Sequence, residues 1–412
     1  MTARAGRPGY SLLAILLGAV SIGPLLTYGL SAVSELVISD LGISEAQFGL
    51  LATVCFGAGT IGNAAFGRFT DRQPDGRLLI VVFSLATVAL LLAAIPGGYP
   101  LLLVASGVAG LAQSFPNGVT NRILAERVPM EQRIGWIGIK QSGVQVSQLV
   151  ASLGFPALAA WIGWHGASGV GAVAAVLLGV VSLRVLGAVP LLSKAPSSVG
   201  PTPAGAGASA TEPPTNLKFL IYALAAFGFI NGMGVQATNV YVSLFAVREL
   251  DFSVFLGGMA AAVAGAIGVA ARVGWGRMMS KGMAAAPLLL LLALMALAGA
   301  GVFLAAGATE SAALLWLAVA FHGASALGVS VVLMAAVVRS VPSTSIGMAT
   351  GMVTAGQFGG FTIGPLLMGS LVGSAGGFEL GWTAVAGIYL LCVALATYLV
   401  MRRRRQAKKL SV

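Results

Sequence analysis

Phe255-LGGMAAAVAGAIGVAA-Arg272-VGWG-Arg277 is apolar until Arg272, and its reading decides the fold class. A run of about 20 apolar residues is long enough to cross the hydrocarbon core of a bilayer. Backbone polar groups in lipid must be satisfied internally, so such a run is a helix. A guanidinium stays charged at every relevant pH. Inside a spanning helix it therefore needs a partner or a wet cavity.

The same kind of run recurs along the chain. Twelve are legible, at about 11–34, 46–67, 78–96, 100–122, 134–160, 166–188, 218–246, 254–276, 284–306, 311–338, 346–373 and 381–401. Charged residues make up 8% of the chain, against roughly 25% in soluble domains. These features predict an all-α integral membrane protein of twelve transmembrane helices.

The net charge of +11 excludes less than it suggests, because its placement is one-sided. Basic residues gather in alternate loops and in the tail Arg402 to Arg405, Lys408 and Lys409. The other loops hold Asp40, Glu45, Glu249, Asp251, Glu310 and Glu379, with Arg248. Under the positive-inside rule both termini lie in the cytoplasm. The expected location is a plasma membrane, of the bacterial inner-membrane kind. The basic tail suits anionic lipid, and no nucleic-acid partner is expected. His165 falls in an outer loop on this reading.

Ser193-KAPSSVGPTPAGAGASATEPPTN-Leu217 is rich in Pro, Ala, Gly and Ser, a composition that cannot bury a core. It divides the chain into a six-helix half at 1–192, a flexible cytoplasmic linker at 193–217, a second six-helix half at 218–401 and a basic tail at 402–412. An offset of 209 residues pairs Gly67 with Gly276, Arg68 with Arg277, Gln113 with His322, Gly138 with Gly347, Gln148 with Gln357 and Pro156 with Pro365. That register reads as an internal repeat.

Two repeated halves around a central cavity resemble the major facilitator superfamily. The stretch Gly67-RFT-Asp71-RQPDG-Arg77 is similar to that superfamily's signature between helices 2 and 3, with about two extra residues before Gly76. The second copy keeps Gly276 and Lys281 but has Ser280 in place of Asp. The resemblance implies alternating access and a cytoplasmic latch of Gly67, Asp71, Arg72 and Arg77, with Arg127 or the N-terminal dipole of helix 11 as a partner for Asp71 and Gly276 as the counterpart glycine. Plain loop solvation would explain the same charges. The spacing Arg-x-x-x-Gly-x-x-x-Ser at Arg272, Gly276 and Ser280 is similar to that of monocarboxylate transporters and oxalate/formate antiporters. It implies a carboxylate held by Arg272.

The residues by themselves point to an anion as well. Lys140 is a second cation within a hydrophobic segment, and no Asp or Glu lies as deep. Lys140, Gln141, Val144, Gln145, Ser147, Gln148 and Ser152 share one face of helix 5 at helical spacing. Such a polar stripe fits a cavity better than lipid. Snorkelling of either cation to lipid phosphates is the competing reading. His322, near the middle of helix 10, is a buried structural histidine or a proton carrier. Gln113, Asn117 and Asn121 on helix 4, Asn231, Gln236 and Asn239 on helix 7, Gln357 on helix 11 and Tyr28 on helix 1 complete the cavity candidates.

The expected function is secondary active transport of a small organic anion, a mono- or dicarboxylate, by proton symport or anion exchange. A drug or metabolite efflux permease is the alternative, and a non-transporting receptor is a weaker one. Cys55, Cys392 and two histidines make no metal site. The sequence shows no catalytic constellation. An enzyme, a cofactor or a metal is therefore not expected, and the protein is read as a monomer.

Overall fold

The computed structural model describes residues 10–70, 73–128, 136, 139–188, 215–342 and 346–410. They are helical, with no strand among the described residues. In chain order the helices are α1 (Tyr10–Ser21), α2 (Leu25–Ala32), α3 (Ser34–Leu41), α4 (Glu45–Thr70), α5 (Asp75–Ala94), α6 (Gly98–Ala112), α7 (Pro116–Arg127) and α8 (Gly143–Ala188). They continue as α9 (Thr215–Glu249), α10 (Val254–Ser280), α11 (Ala285–Ala308), α12 (Ala312–Ala324), α13 (Val329–Ser340), α14 (Ile346–Val372) and α15 (Gly377–Leu410).

Eight helical stretches are long and apolar enough to cross a membrane, or up to ten if each of two bent pairs forms one span. One of the eight, Ile139–Leu186, runs for 48 residues. At 1.5 Å per residue that is about 72 Å, more than twice a hydrocarbon core. Gly163 breaks it, with φ 69°, a conformation glycine adopts without steric cost. His165, which the sequence places in a loop, follows this break by two residues, and its Nδ1 lies 2.9 Å from the Ala93 carbonyl. Beside it Trp164 donates to Asp40 at 2.9 Å.

Several apolar runs that look continuous in sequence are broken in space. α1 and α2 meet at 61°. Gln113–Phe115 separates α6 from α7, and Ser142 interrupts the helix ahead of α8. Ser325 (φ −103°, ψ −75°) and a 3-10 turn at Ala326–Gly328 separate α12 from α13. A broken turn frees carbonyls that lipid cannot satisfy, so such breaks persist only against protein or a wet cavity.

Glycine sets how closely the helices pack. α9 lies along α14, and α14 along α4. At Gly360 a Cβ would fall 2.1 Å from the Phe229 carbonyl oxygen, and at Gly364 2.2 Å from that of Met233. Across α4, Gly49 approaches Pro365 so closely that a Cβ would lie 2.4 Å from its carbonyl oxygen. α8 packs on α10, and α2 packs on both α9 and α10. Helices from early and late in the chain thus share one interior.

Candidate functional site

Arg272 lies two turns from the end of α10, and its guanidinium reaches two helix breaks. Nε donates to the Leu327 carbonyl at 2.9 Å, in the 3-10 turn between α12 and α13. Nη1 donates to the Gln141 carbonyl at 2.6 Å, just before the break ahead of α8. Two neighbours cap other carbonyls of the α12–α13 break. Trp275 Nε1 donates to Ala324 at 2.7 Å, and Asn231 Nδ2 to Ala326 at 3.3 Å. Nε and Nη1 of the guanidinium are thus turned onto interior backbone. No hydrogen bond from Nη2 is found among the described residues.

Every described carboxylate lies in a connection or near a helix end, at Glu35, Asp40, Glu45, Asp75, Glu126, Glu249, Asp251, Glu310 and Glu379. Among the described residues Arg272 thus has backbone carbonyls as partners and no carboxylate paired with it. Tyr28 of α2 is buried where it interacts with both Gln236 and the Arg272 charge.

Lys140 is fully buried. Its ammonium donates to Asn121 Oδ1 at 2.7 Å and to Asn117 Oδ1 at 3.4 Å, both on α7. It points to α7 while its neighbour Gln141 meets Arg272. The described contacts thus bring Lys140 to Asn117 and Asn121, and Arg272 to Gln141.

A directional chain of amides joins the halves of the sequence at mid-bundle. Gln148 Nε2 donates to the Ala261 carbonyl and to Asn239 Oδ1, each at 3.2 Å. Because Ala261 can only accept, this fixes the orientation of the Gln148 amide. Asn239 Oδ1 also meets His322 Nε2 at 3.0 Å, while Asn239 Nδ2 donates to Gln236 Oε1 at 2.9 Å. His322 accordingly carries its proton on Nε2, an assignment that follows from the amide network. Asn239 and Gln236, secondary candidates in the sequence, are its hub.

The remaining candidates are placed as follows. Gln113 donates to Cys55 Sγ at 3.1 Å, as does Thr27 at 3.2 Å. Gln145 is buried against α10, where a Cβ at Gly268 would meet its side chain at 3.2 Å. Gln357 is buried against Gly228 of α9. Of the latch residues, Asp71 and Arg72 lie outside the described residues. Gly67 falls within α4. Arg77 is exposed beside Gln73. Arg127 donates to the Leu186 carbonyl at 3.1 Å. A Cβ at Gly276 would touch Val331 at 3.4 Å. No cluster of three or more His, Cys, Asp or Glu that could hold a metal occurs among the described residues.

Sequence reasoning did not anticipate one ion cluster. Arg248 of α9 donates to Glu35 Oε2 of α3 at 2.6 Å and to Glu45 Oε1 of α4 at 2.5 Å. Beneath it Tyr241 donates to the Glu45 carbonyl at 2.6 Å, and Thr53 to the Thr362 carbonyl at 2.7 Å. Their sequence separations of 309 to 196 residues hide these pairings from any local pattern.

Long apolar helices, broken spans and polar side chains converging on the breaks define a polytopic helical membrane protein of the transporter kind. The chain belongs to the Major Facilitator Superfamily, whose family model matches residues 12–342. It is 32% identical over 142 residues to a protein of Haemophilus influenzae named as a candidate metabolite transport protein. It is 29% identical over 121 residues to one of Cupriavidus pinatubonensis described as a probable 4-methylmuconolactone transporter. These matches span 34% and 28% of the relatives' own lengths. Among solved structures, a bacterial homolog of the human lysosomal transporter Spinster, inward-facing and occupied, superposes with a TM-score of 0.72 at 16% identity. That match covers 95% of this chain and 96% of the other. The nucleoside transporter NupG superposes with a TM-score of 0.68 at 14% identity, over 94% of this chain and 99% of its own. At such identities the likeness is one of fold.

Proposed function

We propose that this transporter carries a small organic anion, a mono- or dicarboxylate, by alternating access. The observation that carries the reading is Arg272: a permanent cation at a junction of two helix breaks, with no carboxylate at its depth among the described residues. Its Nε and Nη1 bonds to Leu327 and Gln141 orient the guanidinium and leave further N–H groups for a ligand. A guanidinium fork binds a carboxylate through two parallel hydrogen bonds. Tyr28 beside it leads through Gln236 to the hydrogen-bonded set of Asn239, Gln148 and His322 further along the interior. The likeness to a protein described as a 4-methylmuconolactone transporter supports a carboxylate.

In this reading the rocking units are residues 1–192 and 218–401, joined by the linker 193–217 and built of twelve spans. α8, cut at Gly163, contributes two of them. The loops rich in Arg and Lys face the cytoplasm with both termini, and the Arg248 end faces outward. Lys140, turned to Asn117 and Asn121 of α7, is the second buried cation and enters the reading as a proton carrier. Unlike Arg272 it can release a proton, which would allow one-for-one proton symport; exchange of anion for anion is the other mode.

Uptake into proteoliposomes tests the proposal. Purified protein should accumulate labelled organic acids and not labelled organic cations, and an inward proton gradient should increase accumulation if transport is symport. Transport of cations with no response to acids would overturn the anion reading.

A further inference from the structure

The proposed anion site has an unusual neighbour. Four buried polar atoms without a hydrogen-bond partner crowd into two turns of α8: Gln145 Oε1, Ser147 Oγ, Gln148 Oε1 and Ser152 Oγ. Each of these residues is at most 1% exposed. Buried polar groups are nearly always paired, and one left unpaired carries its full desolvation cost. A concentration of them in one place therefore calls for a partner that brings hydrogen bonds.

The stripe lies beside Arg272. Arg272, Gly268 and Gly265 fall on one face of α10 at helical spacing. A Cβ at Gly268 would meet Gln145 Cγ at 3.2 Å, and one at Gly265 would meet Gln148 Cβ at 3.4 Å. One at Gly258, further along the same seam, would meet the Ser152 carbonyl oxygen at 2.4 Å. The seam between α8 and α10 thus begins at the Arg272–Gln141 bond and continues past Gln145 and Gln148 to Ser152. From Gln145 to Ser152 the helix rises by about 10 Å.

The two ends of this seam ask for different chemistry. Arg272 has only donors to give. Gln148 Oε1 can only accept, because its amide nitrogen is committed to Ala261 and Asn239. Gln145 Oε1 is likewise an acceptor, and the serine hydroxyls can do either. A bare fatty acid would satisfy the cation and leave the acceptors unpaired. We infer that the anion is a polyhydroxylated carboxylate of the aldonic-acid type, with its carboxylate on Arg272 and its hydroxyls donating to Gln145 and Gln148 as the seam opens. This rests on the anion reading above and narrows it.

Three six-carbon probes separate the possibilities by thermal shift of the purified full chain: gluconate, hexanoate and glucitol. A ligand that binds only the folded state raises the melting temperature by mass action. Gluconate should reach half its maximal shift at a concentration at least tenfold lower than hexanoate. Glucitol, which lacks the charge, should need a still higher one. In Gln145→Leu and in Gln148→Leu the advantage of gluconate should shrink to less than threefold. Gln145→Leu removes an amide oxygen with no hydrogen-bond partner, so its fold is safe to compare. Equal response to gluconate and hexanoate in the wild type overturns this inference and leaves the anion reading standing. An undiminished gluconate advantage in both variants also overturns it. Response to neither acid, or to glucitol alone, overturns the anion reading itself.

Discussion

Arg248 and Glu45 form an ion pair, Nη1 to Oε1 at 2.5 Å, that ties α9 to the first turn of α4. The same guanidinium holds Glu35 of α3 through Nε at 2.6 Å. All three side chains are 20–32% exposed, so each pair contributes modestly, about 0.2–1 kcal/mol. Their effect lies in position. With Tyr241 on Glu45 and Thr53 on Thr362, they close one end of the bundle over its polar interior.

Arg248→Gln should loosen that end. Cys55 is buried beneath it, bonded to Thr27 and Gln113, and serves as a native reporter once Cys392 is replaced by Ser. A membrane-impermeant maleimide should modify Cys55 roughly fivefold faster in Arg248→Gln, the factor that about 1 kcal/mol supplies. High salt should narrow the gap between variant and wild type by screening the pair. An unchanged rate would show that the aromatic and glycine contacts close this end without the ions.

Arg272→Lys keeps the charge and loses the fork. A lysine also cannot bridge the Leu327 and Gln141 carbonyls in the same geometry. Uptake of the transported acid should fall by at least about tenfold, the value of one charge-assisted hydrogen bond of roughly 1.5–3 kcal/mol. Arg272→Ala should abolish it at normal membrane expression. Wild-type uptake in Arg272→Ala would remove the central support for the anion site.

Lys140 gives a different signature, because its partners are two asparagine oxygens. Lys140→Met removes a buried charge together with its need for partners, and should change the melting temperature little or raise it. Asn121→Leu instead leaves the ammonium with only the long contact to Asn117. That variant should lose about 1–3 kcal/mol of stability. The double variant should resemble Lys140→Met alone. Additive effects would show that Lys140 and Asn121 are not coupled as the 2.7 Å bond requires.

The α9–α14 seam offers a test that needs no substrate. Gly360→Ala would set a methyl 2.1 Å from the Phe229 carbonyl oxygen, whereas Gly351→Ala meets nothing within 4 Å. The first should destabilise the protein by about 1–3 kcal/mol through overpacking. The second should stabilise it by up to about 1 kcal/mol, since alanine is the better helix former. Similar melting temperatures for both would argue against close packing of α9 on α14.

Much of the architecture was legible in sequence because lipid is an undemanding reader. Any run of about 20 apolar residues becomes a helix, and Gly67, Asp71 and Arg72 pointed to the superfamily without any tertiary knowledge. The cations Arg272 and Lys140 stood out for the same reason, since each is costly in that medium. The polar face of helix 5 was legible too, because helical spacing alone puts Gln145, Gln148 and Ser152 together.

The sequence by itself therefore determined the solvent, the all-helical class and the superfamily. Tertiary structure decided the partners. The run at 311–338 has no proline to announce its break at Ser325–Gly328; that break survives because Arg272, Trp275 and Asn231 arrive from other helices to cap its carbonyls. Glu35, Glu45 and Arg248 look like solvated mouth residues until α3, α4 and α9 bring them within 2.6 Å. A helix's existence depends on the medium and on neighbours a few residues away in sequence. A hydrogen bond across 131 residues, such as that from Arg272 to Gln141, depends on how whole helices pack.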